Sequence, residues 1–167
     1  MKNILKLFFL LIVFYLASCK PSPQKASEYN NLLVKHQRAV INKFDDLIAS
    51  FTTYNAQVMQ EAYNALIKQI DFSLKELEQI KSFDGDTEFR DKTIELLEFY
   101  RKIAQTKLKQ TMVLLSKPEK DYTSQDASQV SKIMSEVHSE ISIKNKDYKE
   151  YQLKFAQKYN LSLSLKE

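Results

Sequence analysis

Glycine, cysteine and tryptophan are almost missing from this chain. Its 167 residues include one Gly, one Cys, three Pro and no Trp. An average soluble chain is roughly 7% Gly, so about a dozen would be usual. One glycine excludes glycine-rich phosphate loops, dinucleotide fingerprints and nucleophile elbows. It also argues against hairpin-rich β folds, whose turns need residues at positive φ. One cysteine excludes an intrachain disulfide and any paired-cysteine metal site. Charge of one sign is lacking too: 25 Lys and Arg face 21 Asp and Glu, a formal +4. That is too balanced for a nucleic-acid partner by charge alone.

The longest apolar run lies at the start. Lys2 and Lys6 precede eleven uninterrupted apolar residues, Leu7 to Ala17. A membrane span needs about 20, so residues 1–18 read as a secretory signal. Leu16-Ala17-Ser18-Cys19 resembles the lipobox of bacterial lipoproteins. That resemblance implies cleavage before Cys19 and acylation of its sulfur and new amino group, with palmitate-type chains as the membrane anchor. The net charge then falls to +2, because Lys2 and Lys6 leave with the signal. Residues 20–27, KPSPQKAS, hold two of the three prolines and no large apolar side chain. With Cys19 they are expected to form a flexible tether. Lys20 rather than Asp follows the cysteine, which by analogy with the enterobacterial sorting rule indicates the outer membrane. No acidic run follows, which leans towards the periplasmic side, although the face stays open.

From Glu28 onward apolar residues recur at spacings of three and four, the mark of amphipathic helices. The first stripe is Tyr29, Leu33, Val40, Phe44, Leu47 and Phe51, with His36 in its gap. Thr52, Thr53 or Asn55 can cap the second helix. That helix carries Met59, Tyr63, Leu66, Ile70, Leu77 and Ile80, with Ser73 or Leu74 between. Gly85 stands where a helix C-terminus wants a left-handed residue, and Asp86 is placed to cap the third helix. The third stripe runs Phe89, Thr93, Leu96, Tyr100 and Ile103, then drifts to Leu108, Thr111 and Leu115 before Lys117-Pro118 stops it. The fourth opens on Thr123-Ser124-Gln125-Asp126, which resembles a capping box. Its stripe is Ala127, Val130, Met134, Val137, Ile141, Tyr148, Tyr151 and Phe155, interrupted at Lys144. Early acids in helix three (Asp91, Glu95, Glu98) and late lysines in helix four (Lys144, Lys146, Lys149, Lys154, Lys158) would meet in an antiparallel pair. The fold expected is all-α: a four-helix up-and-down antiparallel bundle over residues 28–160, followed by a frayed tail at 161–167.

Candidate chemistry is sparse. His36 and His138 lack the Glu-x-x-His setting of a di-iron bundle. A haem held by one of them with Met59 or Met134 has no motif behind it. Asp84, Asp86, Glu88 and Glu95 fall at calcium-loop spacings, but Phe89 stands where that loop needs Gly and Asp91 where it needs an apolar residue. An acidic turn at a positive helix end explains the same residues. Asp45-Asp46 and the Glu76/Glu78 pair fit the wet face of a helix better than a general acid and base. No catalytic residue, cofactor or metal is expected, and no enzyme. Tyr148, Tyr151, Phe155 and Tyr159, set among lysines at the end of the longest helix, form the candidate partner surface.

The order Ala62-Tyr63, Ala65-Leu66, Phe83-Asp84-Gly85-Asp86, Phe89, Leu96, Tyr100 and Gln152-Leu153-Lys154-Phe155-Ala156-Gln157-Lys158-Tyr159-Asn160 resembles a family of small bacterial surface lipoproteins, helical bundles of spirochaetes and Bacteroidota. The resemblance implies a lipid-anchored helical domain on the cell envelope and supplies no catalytic residues. The Asp-Gly-Asp turn and the Phe-Ala-x-Lys-Tyr-Asn end look like structural marks. The expectation is therefore a non-enzymatic envelope protein that binds a protein partner at the outer membrane or cell surface and touches the membrane through its anchor. The alternative is a periplasmic assembly or carrier factor that holds an apolar ligand or unfolded client in a groove. A groove wider than ordinary bundle packing favours the alternative; exposed aromatics at the end of helix four favour the first.

Overall fold

The computed structural model describes residues 21–162. The signal, Cys19 and the tail beyond Ser162 lie outside the described residues. Helix α1 spans Pro23–Ser50 and so begins before Glu28, within the segment expected to be a tether. The reason is local. Ser22 accepts a hydrogen bond from the Lys25 amide at 3.3 Å. Pro23 follows in the first turn, where its missing N–H costs nothing and its fixed φ suits a helix. Ala26, in the same stretch, is fully buried. A 3-10 turn, Phe51–Thr53, closes α1, and Tyr54 adopts φ 50°. Asn55 then caps α2, Ala56–Gln79, accepting from the amides of Gln57 and Val58 at 2.9 and 3.2 Å.

The lone glycine does not cap α2, which ends earlier, at Gln79. Phe83 and Asp86 exchange backbone hydrogen bonds of 2.9 and 3.0 Å. Between them Asp84 and Gly85 sit at φ 56° and 76°. Two left-handed residues in succession make a type I′ turn, which explains Asp-Gly here. The cap position of the next helix is Thr87, one residue later than expected, and the Asp86 carboxylate accepts from the Glu88 amide at 2.8 Å.

The third arm is one helical rod in three pieces: α3 Glu88–Ile103, a π turn Ala104–Leu108, and α4 Lys109–Leu115. The π turn accounts for the drift seen in the sequence. One residue inserted into the helix rotates everything after it, so Leu108, Thr111 and Leu115 stay on the buried side with Phe89, Leu96 and Tyr100. Thr93 and Thr111 are fully buried there. Their hydroxyls donate back to the carbonyls of Phe89 and Lys107, at 2.8 and 3.0 Å, so neither is left unpaired.

Helix α5, Ser124–Lys158, is the longest element, about 52 Å by its 35 residues. Thr123 and Asp126 form the reciprocal capping box. Asp126 also receives Lys117 at 2.7 Å. The Lys117 contact and the Thr123 hydrogen bonds hold the Asp126 carboxyl down at about 2. Along its stripe Ile133 is buried with Val137 and Tyr148, whereas Ala127 is exposed. Asn160 at φ 55° and the bond from the Leu161 amide to the Ala156 carbonyl, 2.8 Å, end the helix in a Schellman-type turn.

The helices run up, down, up and down. The third arm is central and packs against α1, α2 and α5. The acidic start of α3 meets the basic half of α5 as charge predicted, through Lys144 with Glu95 and Lys158 with Asp86 at 3.0 Å. Further up, Lys107 reaches Glu140 at 2.9 Å. Helix α1 touches α5 only at one end, through Tyr29 against Phe155 and Gln152 donating to Asn30 at 3.0 Å. Beyond that the two scarcely pack.

Candidate functional site

Of the four aromatics expected to form an exposed partner surface, Tyr148 and Tyr159 are buried and Tyr151 and Phe155 are half-buried. Tyr148 is 4% exposed, and its hydroxyl lies 3.2 Å from Thr93 Oγ1. Burial pushes that phenol up to about 12. Phe155 stacks among Phe89, Tyr159 and Phe83, with ring centroids 5.0, 4.8 and 5.6 Å away. Tyr159 is buried against Phe83 and donates to Asp84 Oδ2 at 3.1 Å. Phe155 and Tyr151 remain partly outside, and Lys92 and Lys154 lie over the Tyr151 ring at 5.0 and 4.8 Å. An exposed surface of all four at the end of the longest helix requires that α5 overhang its neighbours. The helix does not, because α1 begins in the supposed tether and the Asp-Gly turn folds beside the end of α5. Both supply rings, Tyr29 and Phe83, that cover it.

The open feature is on the other side of α5. Where α1 and α5 scarcely pack, a groove of about 900 Å³ runs between them. One wall is α1 from Ser27 to Asn42; the other is α5 at Asn145, Tyr148, Lys149 and Gln152, with Leu161 and Ser162 behind the terminal turn. Helical spacing puts Asn30, Val34, Arg38 and Ile41 of α1 on one line facing it, with Asn31, Lys35 and Asn42 beside them. Side-chain amides recur: Asn30, Asn31, Gln37, Asn42, Asn145 and Gln152. Behind the lining, the buried Tyr100 hydroxyl donates to Asn145 Oδ1 at 3.2 Å, and burial raises its pKa.

Charge in the groove has one sign. Lys35, Arg38 and Lys149 line it, and no Asp or Glu does. Among the described residues none of these three cations forms an ion pair. Sequence reasoning missed these residues because it followed the apolar stripes. Two signals were available: a second, amide-bearing line on α1, and Lys144 and Asn145 standing where the α5 stripe breaks.

His36 is buried on α1, its ring 6.4 Å from Phe72, and burial lowers its pKa while Glu76 opposes that shift. His138 is exposed on α5. Asp46 pairs with Lys43 at 2.7 Å, and Asp45 has its carboxyl pushed up by partial burial and by Asp46. Asp84 and Asp86 are engaged by Tyr159, Lys158 and the Glu88 amide, so the acidic turn spends its oxygens on local structure. Among the described residues no three His, Cys, Asp or Glu side chains gather to hold a metal, and no helix is long and apolar enough to cross a membrane. Compared with models of protein families, with curated proteins and with solved structures, the chain matches none.

Proposed function

We propose that this is a lipid-anchored, non-enzymatic protein of the cell envelope that holds part of a client in the groove between α1 and α5. The groove itself is the observation that carries the reading. An antiparallel bundle normally closes all its seams with apolar contacts. Here the seam between the first and last helices is wide and lined by polar side chains. Burial of Tyr148 and Tyr159 leaves less of the α5 end for a flat docking surface than the groove offers. The polar lining also changes the alternative from which this reading descends: the groove suits a polar client segment rather than an apolar ligand. The anchor rests on Leu16-Ala17-Ser18-Cys19 and on the basic, apolar stretch before it.

Two experiments test it. A photocrosslinking residue at Gln37, inside the groove, should give discrete adducts with an envelope protein in growing cells, and one at Lys68 on α2 should give none. Equal labelling from both sites would refute the holding role. Replacing Cys19 with Ala should abolish lipid labelling and release the protein from membranes; persistent labelling would refute the anchor.

A further inference from the structure

We infer that the client segment is an extended, acidic stretch of polypeptide. This deepens the holding reading and rests on it. The first argument is charge. Three cations, Lys35, Arg38 and Lys149, face a groove that no carboxylate lines. On the opposite flank of α5 cations and acids meet: Lys144 with Glu95, Lys158 with Asp86, and Glu140 with Lys107 of the π turn. The α3-facing side of the helix thus mixes lysines with acids, whereas Lys149 faces a groove whose lining holds cations and no acid. Cations gathered without acids attract an anionic ligand, and they disfavour a basic one by like-charge repulsion.

The second argument is hydrogen bonding. An extended peptide presents a donor and an acceptor at each residue. Side-chain amides supply both, and Asn31, Gln37 and Asn42 bring them into the groove from the α1 wall. Val34 and Ile41, both half-buried, give short apolar contacts between them. The third argument is length. The α1 wall from Ser27 to Asn42 spans about 22 Å at the helical rise. That accommodates about seven residues of extended chain. Other anionic polymers fit less well. Single-stranded nucleic acids bind by stacking bases on aromatic rings, and sugar rings likewise seek an aromatic platform. The one aromatic in the lining, Tyr148, is 4% exposed and offers no such face.

The test is fluorescence anisotropy on the full chain purified in detergent. The probe is a labelled peptide of about eight alternating Glu and Val residues, compared with a Lys and Val peptide of the same length. The acidic peptide should bind saturably, at least about tenfold tighter than the basic one, a ratio worth 1.4 kcal/mol. Added salt should weaken it. The double variant Lys35→Glu/Arg38→Glu should lose about tenfold or more while keeping its helical circular dichroism, and Lys68→Glu on α2 should bind as the parent does. Equal affinity for both peptides, or equal loss in Lys68→Glu, would overturn the inference. So would a sulfated polysaccharide that binds where the peptide does not. A chain ending at Ser162 that binds the peptide when the full chain cannot would assign the groove to the protein's own tail and overturn it as well. If Gln37 crosslinks form in cells and the acidic peptide still fails, the ligand class is wrong and the holding role stands. If neither occurs, the holding role itself falls.

Discussion

Helix α5 has two flanks, and they are built differently. Against α3 and α4 it is packed, with Leu96, Val137 and Tyr148 nearly free of solvent and lysines set opposite acids. Against α1 it is open, with amides on both walls and cations opposite no acid. The ion pairs are not what closes the first flank. They are exposed, and such pairs are worth about 0–1 kcal/mol each. Burying one large apolar side chain contributes about 1.5–3 kcal/mol, so packing decides which flank closes and charge decides the register. The open flank lacks that packing over the length of the groove, and its like charges give the two walls no reason to meet.

The comparison can be broken most severely at the closed flank. Leu96→Ala removes a fully buried side chain beneath α5. It should cost about 2–5 kcal/mol in urea unfolding, whereas Val34→Ala on the groove wall should cost well under about 1 kcal/mol. Similar losses at the two sites would show that both flanks are packed. A smaller effect belongs to the start of α5. Thr123→Ala deletes half of the capping box and should cost about 1 kcal/mol, read as a lower melting temperature with binding in the groove unchanged.

These contrasts also mark what the sequence could reveal. Three- and four-residue spacing is a direct consequence of burying one helix face, so the stripes of α1, α2 and α3 were legible, as were the Asn55 cap and the Thr123 capping box. Pro23 was misread because proline signals both linkers and first helical turns; only Ser22 as cap and the burial of Ala26 separate the two. The drift after Ile103 was visible, but a π turn and a helix end leave the same trace until packing selects one. The groove was the least legible part. Polar residues on a helix read as a solvent face whether they meet bulk water or a second wall, and only the placement of α5 distinguishes these. The aromatics of α5 erred in the opposite sense, since covering by Tyr29 and Phe83 depends on distant segments.

Acid should separate the two kinds of site further. His36 has its pKa lowered by burial, so the unfolded chain binds a proton more readily than the folded one. Its contribution is complete above the usual histidine value and is lost as pH falls through the lower folded one. Asp126 acts later in the descent: its folded value of about 2 lies below the ordinary 3.8, so its contribution is present above pH 4 and disappears between roughly 4 and 2. A stability profile should therefore fall in two stages, and His36→Gln should flatten the upper one alone. An unchanged upper stage in that variant would show that His36 is not its source. The smallest effect is at Tyr29, whose hydroxyl is buried with no hydrogen-bond partner among the described residues. An unpaired buried polar group costs free energy, so Tyr29→Phe should be neutral or stabilising by up to about 1 kcal/mol in thermal melts.

The most direct test of the open flank is lysine footprinting by mass spectrometry, comparing isolated envelopes with the purified chain. If the groove holds a client, Lys35 and Lys149 should be protected from an amine-reactive reagent in envelopes and should label readily after purification, while Lys68 on α2 labels equally in both. Equal labelling of Lys35 and Lys149 in the two preparations would mean that nothing occupies the groove, and would contradict the account.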